Sequence, residues 1–154
     1  MKITDLDNGV ELSGRIEFQI IDANTGKLID EFIEHNIITD IGYRTAAEML
    51  AGVPNSHINR IIIGENYTPP TAADTINTVS TNRLILPFTR IEYPDNFSVR
   101  FNFRVLATVG NGMNMVEFGL LTANNRLFSR LVRTQIIEKS DQFEILGGYI
   151  INLK

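Results

Sequence analysis

Glu117–Lys139 reads EFGLLTANNRLFSRLVRTQIIEK, and this stretch decides the fold class. Two apolar-rich runs flank a polar Ala123-Asn124-Asn125 turn, and a third run ends in the charged cluster Glu138-Lys139-Ser140-Asp141. Short runs of β-branched, aromatic and leucine residues divided by turn formers predict antiparallel strands. The stretch contains no Cys, no His and no nucleophile beside a base.

Outward from this stretch the pattern repeats. In Arg15–Ile21, Ile16, Phe18 and Ile20 alternate with Arg15, Glu17 and Gln19, the signature of a half-buried strand. Asp22–Gly26 predicts a turn with Gly26 at positive φ, and Lys27–Glu34 the returning strand. Tyr43, Ala46, Ala47 and Leu50 predict a helix over about 41–51, capped by Thr39 or Asp40 and ended by Gly52 and Pro54. Asn59–Ile63 reads as a buried strand stopped by Gly64, and Arg83–Tyr93 as a strand broken by Pro87. Ser98–Leu106 is the clearest strand, with Val99, Phe101, Phe103 and Val105 on one face and Arg100, Asn102 and Arg104 on the other. Gly110–Gly112 predicts a turn. Met115–Leu121, Leu127–Arg133 and Phe143–Leu153 complete the set, with Gly147-Gly148 predicting a bulge in the last.

Eight to nine short strands and one helix predict a mainly β protein, a β-sandwich or jelly-roll-like domain over 14–154 behind a flexible arm at 1–13. Arg100, Arg104, Arg130 and Arg133 predict either a solvated face or a polar layer between subunits. The segment 65–81, rich in Thr, Asn and Pro, is long for a loop within a domain. It predicts a crossing over a surface or a partner contact, with Glu65, Asn66, Tyr67, Thr68, Pro69, Pro70 and Thr71 as the candidate interaction residues.

Composition narrows the function. The 154 residues are 44% hydrophobic with a net charge of −4, enough chain for one core and without the basic excess of a nucleic-acid binder. The absence of Cys removes disulfides, thiolate metal sites and Cys nucleophiles together. The two His residues, His35 and His57, stand apart, and each reads as structural or surface rather than catalytic. Glu117, Glu138, Asp141 and Glu144 could pair as catalytic carboxylates only if the fold brought them together. Asp5-Leu6-Asp7-Asn8-Gly9 misses the spacing of a Ca²⁺ loop and reads as part of the flexible start. The charged start Met1–Glu11 is unlike a secretory signal, and runs such as Leu84-Ile85-Leu86 are too short to cross a bilayer. The expectation is a non-enzyme without cofactor or metal.

Four segments in order resemble a recurrent small structural protein of tailed phages and prophages. They are Asn36–Gly42 opening a short helix that ends at Leu50-Ala51-Gly52; Ile61–Gly64 with the loop carrying Pro69-Pro70 and Thr71–Asp74; Arg83 with the strand Ser98–Val105; and Glu117–Leu120, Leu127–Val132 and Ile137–Lys139 before a final apolar strand. They span 36–153. Two features depart from the pattern: Gly64-Glu65-Asn66 stands where many relatives read G-T-G, and the hairpin 14–34 is extra. The resemblance implies a virion component of the tail, baseplate, fibre region or capsid decoration. Such a component is made in the host bacterial cytoplasm, self-associates, as a trimer or larger ring, and docks onto other virion proteins. An alternative of another class is a carbohydrate-binding β-sandwich for a host surface glycan. The chain has no Trp to build an aromatic platform, and Tyr67 and Tyr93 are the best-placed Tyr residues for that role.

Overall fold

The computed structural model describes residues 11–154, and within them the chain forms two antiparallel sheets of five strands each, packed as a β-sandwich. The strands are β1 (Ser13–Asp22), β2 (Leu28–His35), β3 (Ile37–Ile38), β4 (Ile58–Gly64), β5 (Leu84–Pro87), β6 (Arg90–Glu92), β7 (Ser98–Val105), β8 (Asn114–Thr122), β9 (Leu127–Glu138) and β10 (Phe143–Asn152). One helix, α1 (Asp40–Leu50), and one 3-10 turn at Ile76–Thr78 complete the described residues. Sheet A has the order β2-β1-β10-β7-β6 and sheet B the order β3-β9-β8-β4-β5. Most of the predicted arm, and the whole of Asp5–Gly9, lies outside the described residues; Ser13 already opens β1.

Alternation sets the inner faces. Ile16 and Phe18 of β1, Phe101, Phe103 and Val105 of β7, and Ile145, Tyr149 and Ile151 of β10 meet Ile61, Ile63, Phe118, Leu120, Phe128 and Leu131 from sheet B. Phe18 is the hub: it stacks on Phe32 at 4.7 Å and meets Phe118 and Phe103 edge-on at 4.8 and 6.1 Å. Aromatic pairs in this arrangement add to what area burial supplies.

Five expectations require correction. Gly147-Gly148 forms no bulge, since β10 pairs with β1 and β7 in unbroken register. The two glycines clear space on opposite faces: a Cβ at 147 would lie 2.3 Å from the Phe103 ring in the core, and one at 148 would lie 2.1 Å from the Arg100 guanidinium outside. The helix is present, with Thr39 capping Gly42 N, but its buried face is not the predicted one. Leu50 is 92% exposed and Tyr43 and Ala47 face out, while Gly42, Thr45, Ala46 and Met49 face in. A Cβ at Gly42 would lie 2.1 Å from the Phe128 carbonyl oxygen, so close approach at that glycine orients the helix.

Arg83–Tyr93 is two strands in different sheets, because the chain crosses between sheets after Pro87. The predicted third strand before Lys139 is the continuation of β9, which runs for 12 residues. The four arginines do not share a single face. Arg100 and Arg104 lie on the outer face of sheet A, and Arg130 lies beneath the loop over sheet B. Arg133 points inward over the Phe32 ring at 3.7 Å and donates to Glu34.

Candidate functional site

The outer face of sheet B is closed by the segment 65–81. Ile76 and Val79 from this segment pack on Ile62 and Leu127 to form a second small core. Beside it lies a buried ion network. Glu117 of β8 and Arg130 of β9 are each 1% exposed. Arg130 Nε donates to Glu117 Oε2 at 2.9 Å and its Nη1 donates to Asp74 Oδ2 at 2.9 Å. Two more guanidinium protons reach the carbonyl oxygens of Thr68 at 3.0 Å and Asn66 at 3.2 Å. Glu117 Oε1 accepts the amides of Asn66 at 3.0 Å and Ser80 at 2.7 Å. Buried charges persist only when their hydrogen-bonding capacity is met, and here the loop backbone meets it. Gly64 leaves the room: a Cβ there would lie 2.3 Å from Glu117 Oε1. Burial opposes the charge on Asp74, yet the Thr71 amide and hydroxyl and Arg130 together hold its carboxyl below the usual range.

The predicted interaction residues therefore sit in one folded strip. Glu65 accepts from the Asn114 amide at 2.7 Å and from the Asn82 side chain. Asn66 Nδ2 donates to Thr78 O at 2.7 Å. Thr71 is tied to Asp74, and Pro70 is half-buried. Tyr67, Thr68 and Pro69 are exposed at the crest.

Among the described residues, the outer face of sheet A has no such cover. Arg100 donates to Glu17 at 3.0 Å, and Arg104 holds Glu144 through two contacts of 2.9 Å. Asn102 links Arg100 and Glu92. The Arg104 hydrogen bonds lower the pKa of Glu144. Ile150, in register between Arg15 and Arg100, is buried on this face. Toward β2 the face holds an open cleft of about 900 Å³ with Glu17, Gln19, Glu31, Arg90, Arg100 and Arg104 among its lining residues. The cleft ends at the β2 edge, where Leu28, Ile29 and Ile33 are exposed.

No family model, curated protein or solved structure matches this chain.

The four late carboxylates do not converge: Glu117 is sealed in sheet B, Glu144 lies on the outer face of sheet A, and Glu138 and Asp141 flank the turn between β9 and β10. No group of three His, Asp or Glu residues able to hold a metal ion occurs among the described residues. His35 and His57 are both exposed. Sequence reading missed the buried partners. Lys139, read as part of a charged turn, is buried and donates to Asn111 Oδ1 at 3.0 Å and Ser140 O at 2.8 Å, and burial lowers its pKa. The Tyr149 hydroxyl accepts from Asn36 Nδ2 and Ser129 Oγ, each at 2.7 Å, and burial raises its pKa. A signal existed for Glu117 alone, a lone charge between Val116 and Phe118-Gly119-Leu120-Leu121, whereas Arg130 follows Ser129 and shares its strand with Arg133.

Proposed function

We propose that this chain is a non-catalytic virion structural protein of a bacteriophage or prophage, one that self-associates and docks onto other virion proteins in the tail, baseplate or fibre region or on the capsid. The observation that carries the reading is the asymmetry of the sandwich. The long loop seals sheet B, while among the described residues sheet A keeps a bare face and a free edge with exposed Leu28, Ile29 and Ile33. Free edges and uncovered sheet faces are how small β-domains join neighbours. The resemblance of residues 36–153 to tailed-phage structural proteins supplies the setting.

The test is immunogold labelling of purified particles from a strain carrying the gene. Labelling at a fixed place on the particle is expected. Particles free of label, with the protein left in the lysate, contradict the virion reading.

The cleft on sheet A favours a second reading, a glycan site, because its amide, carboxylate and guanidinium groups suit sugar hydroxyls. Neither Tyr67 nor Tyr93 lines that cleft. A glycan array without hits removes this reading; binding that Asn102→Ala abolishes establishes it.

A further inference from the structure

The longest free edge among the described residues is β2, eight residues against two, four and three for the other edge strands β3, β5 and β6. A free edge presents unpaired N–H and C=O groups, and Ile33, 59% exposed, stands on this one between Phe32 and Glu34. The same edge carries Asp30, Glu31 and Glu34 and ends at His35.

Those charges restrict what can pair with the edge. Glu31, Ile33 and His35 lie opposite Gln19, Glu17 and Arg15 of β1 and share the outer face of sheet A. Asp30, Phe32 and Glu34 lie opposite Ile20, Phe18 and Ile16 and share the inner face. When two copies of one strand pair antiparallel about a two-fold axis, residues of the same face stand directly opposite each other. A pairing centred on Asp30 sets Asp30 against itself, and one centred on Glu31 or Glu34 does the same for those residues. A pairing centred on Phe32 sets Asp30 against Glu34. Like charges directly opposite are destabilising. Centred on Ile33, the strand sets Ile33 against Ile33, Phe32 against Glu34, and Glu31 against His35 twice. Arg15, in register behind each His35, adds positive charge to the same row.

We infer that two copies of this chain pair through β2 about a two-fold axis at Ile33, joining their A sheets into one sheet of ten strands. The acids on the edge exclude the registers centred on Asp30, Glu31, Phe32 and Glu34, and a register centred on Ile29 falls on the irregularity where Ile29 has no partner in β1. The inference rests on the self-association proposed above and gives it an order: a dimer, not the trimer or ring that the resemblance implies.

The chain has no Cys, so Ile33→Cys tests the axis directly. Non-reducing electrophoresis is expected to show a cross-linked dimer for Ile33→Cys and none for the control Ile29→Cys. By size-exclusion chromatography with light scattering, the natural chain is expected at twice its 17.3 kDa. Ile33→Lys is expected at the monomer mass with unchanged circular dichroism, since this exposed side chain supports no core. Glu31→Lys is expected to weaken the dimer at least tenfold, and adding His35→Glu to restore it by setting Lys against Glu. A dimer, trimer or ring that survives Ile33→Lys overturns this pairing while leaving self-association intact. A monomer at millimolar concentration overturns both, and the particle labelling then decides the virion reading separately.

Discussion

The two outer faces of this sandwich use the same residue types to opposite ends. On sheet B, Arg130 and Glu117 are fully buried, bonded to Asp74 and to loop backbone, and the face is closed. On sheet A, Arg100, Glu17, Arg104 and Glu144 form similar contacts in the open, and no described segment covers the face. The difference lies in the 17 positions from 65 to 81, which supply the amides, the carbonyls and Asp74 that satisfy a buried pair. An Arg–Glu pair gains little at a surface, whereas removing one member of a buried pair is costly because the survivor keeps its charge in a dry site. Where backbone from a neighbouring segment completes the pair, the pair in turn fixes that segment.

The comparison breaks most visibly at Glu117. Glu117→Ala leaves Arg130 with Asp74 as its one carboxylate partner and two loop amides without their acceptor, and a loss of about 3–5 kcal/mol is expected in urea unfolding. Phe103→Ala should cost a similar 3–5 kcal/mol by emptying the shared core rather than by releasing the loop. The two differ in proteolysis: the first is expected to open cleavage between 65 and 81, the second to leave that segment protected until global unfolding.

Gly147→Ala comes next. Its new methyl drives into the Phe103 ring, and overpacking of this kind is expected to cost about 1–3 kcal/mol by thermal melting. Acid sharpens the contrast further. The Asp74 pKa is lower in the folded chain than its ordinary 3.8. Asp74 therefore contributes stability above about pH 4 that is lost as pH falls through the lowered value. Asp74→Asn is expected to flatten that part of the stability–pH curve, checked by urea midpoints between pH 5 and pH 2. The smallest effect belongs to the open face: Arg100→Ala should cost about 1 kcal/mol or less. A loss there as large as that of Glu117→Ala would erase the distinction between the faces.

Much of the sandwich was legible because alternation along β1 and β7 is strict, and a strand with one polar face can bury only the other. The β8 and β9 hairpin was legible from its Asn-Asn turn, and Asn125 takes the left-handed conformation that such a turn needs. The helix was legible as a helix but not in its facing. Its periodicity offered Tyr43 and Leu50, while the close approach at Gly42 turned them to solvent. The Gly147-Gly148 pair was misread as a bulge because glycine also marks places where a neighbouring side chain crosses the backbone, and only the register separates the two. The network at Arg130 was least legible. It joins β8, β9 and a loop residue 56 positions away from Arg130, and no local pattern records such a meeting.

The most direct test of the contrast is amide hydrogen exchange on the isolated protein, followed residue by residue by NMR. The amides of Asn66 and Ser80, bonded to the buried Glu117 carboxylate, are predicted to exchange slowly, at rates near those of β8. Exchange of both at the rate of an unstructured loop would mean that 65–81 does not seal sheet B, and the account of the two faces would fail.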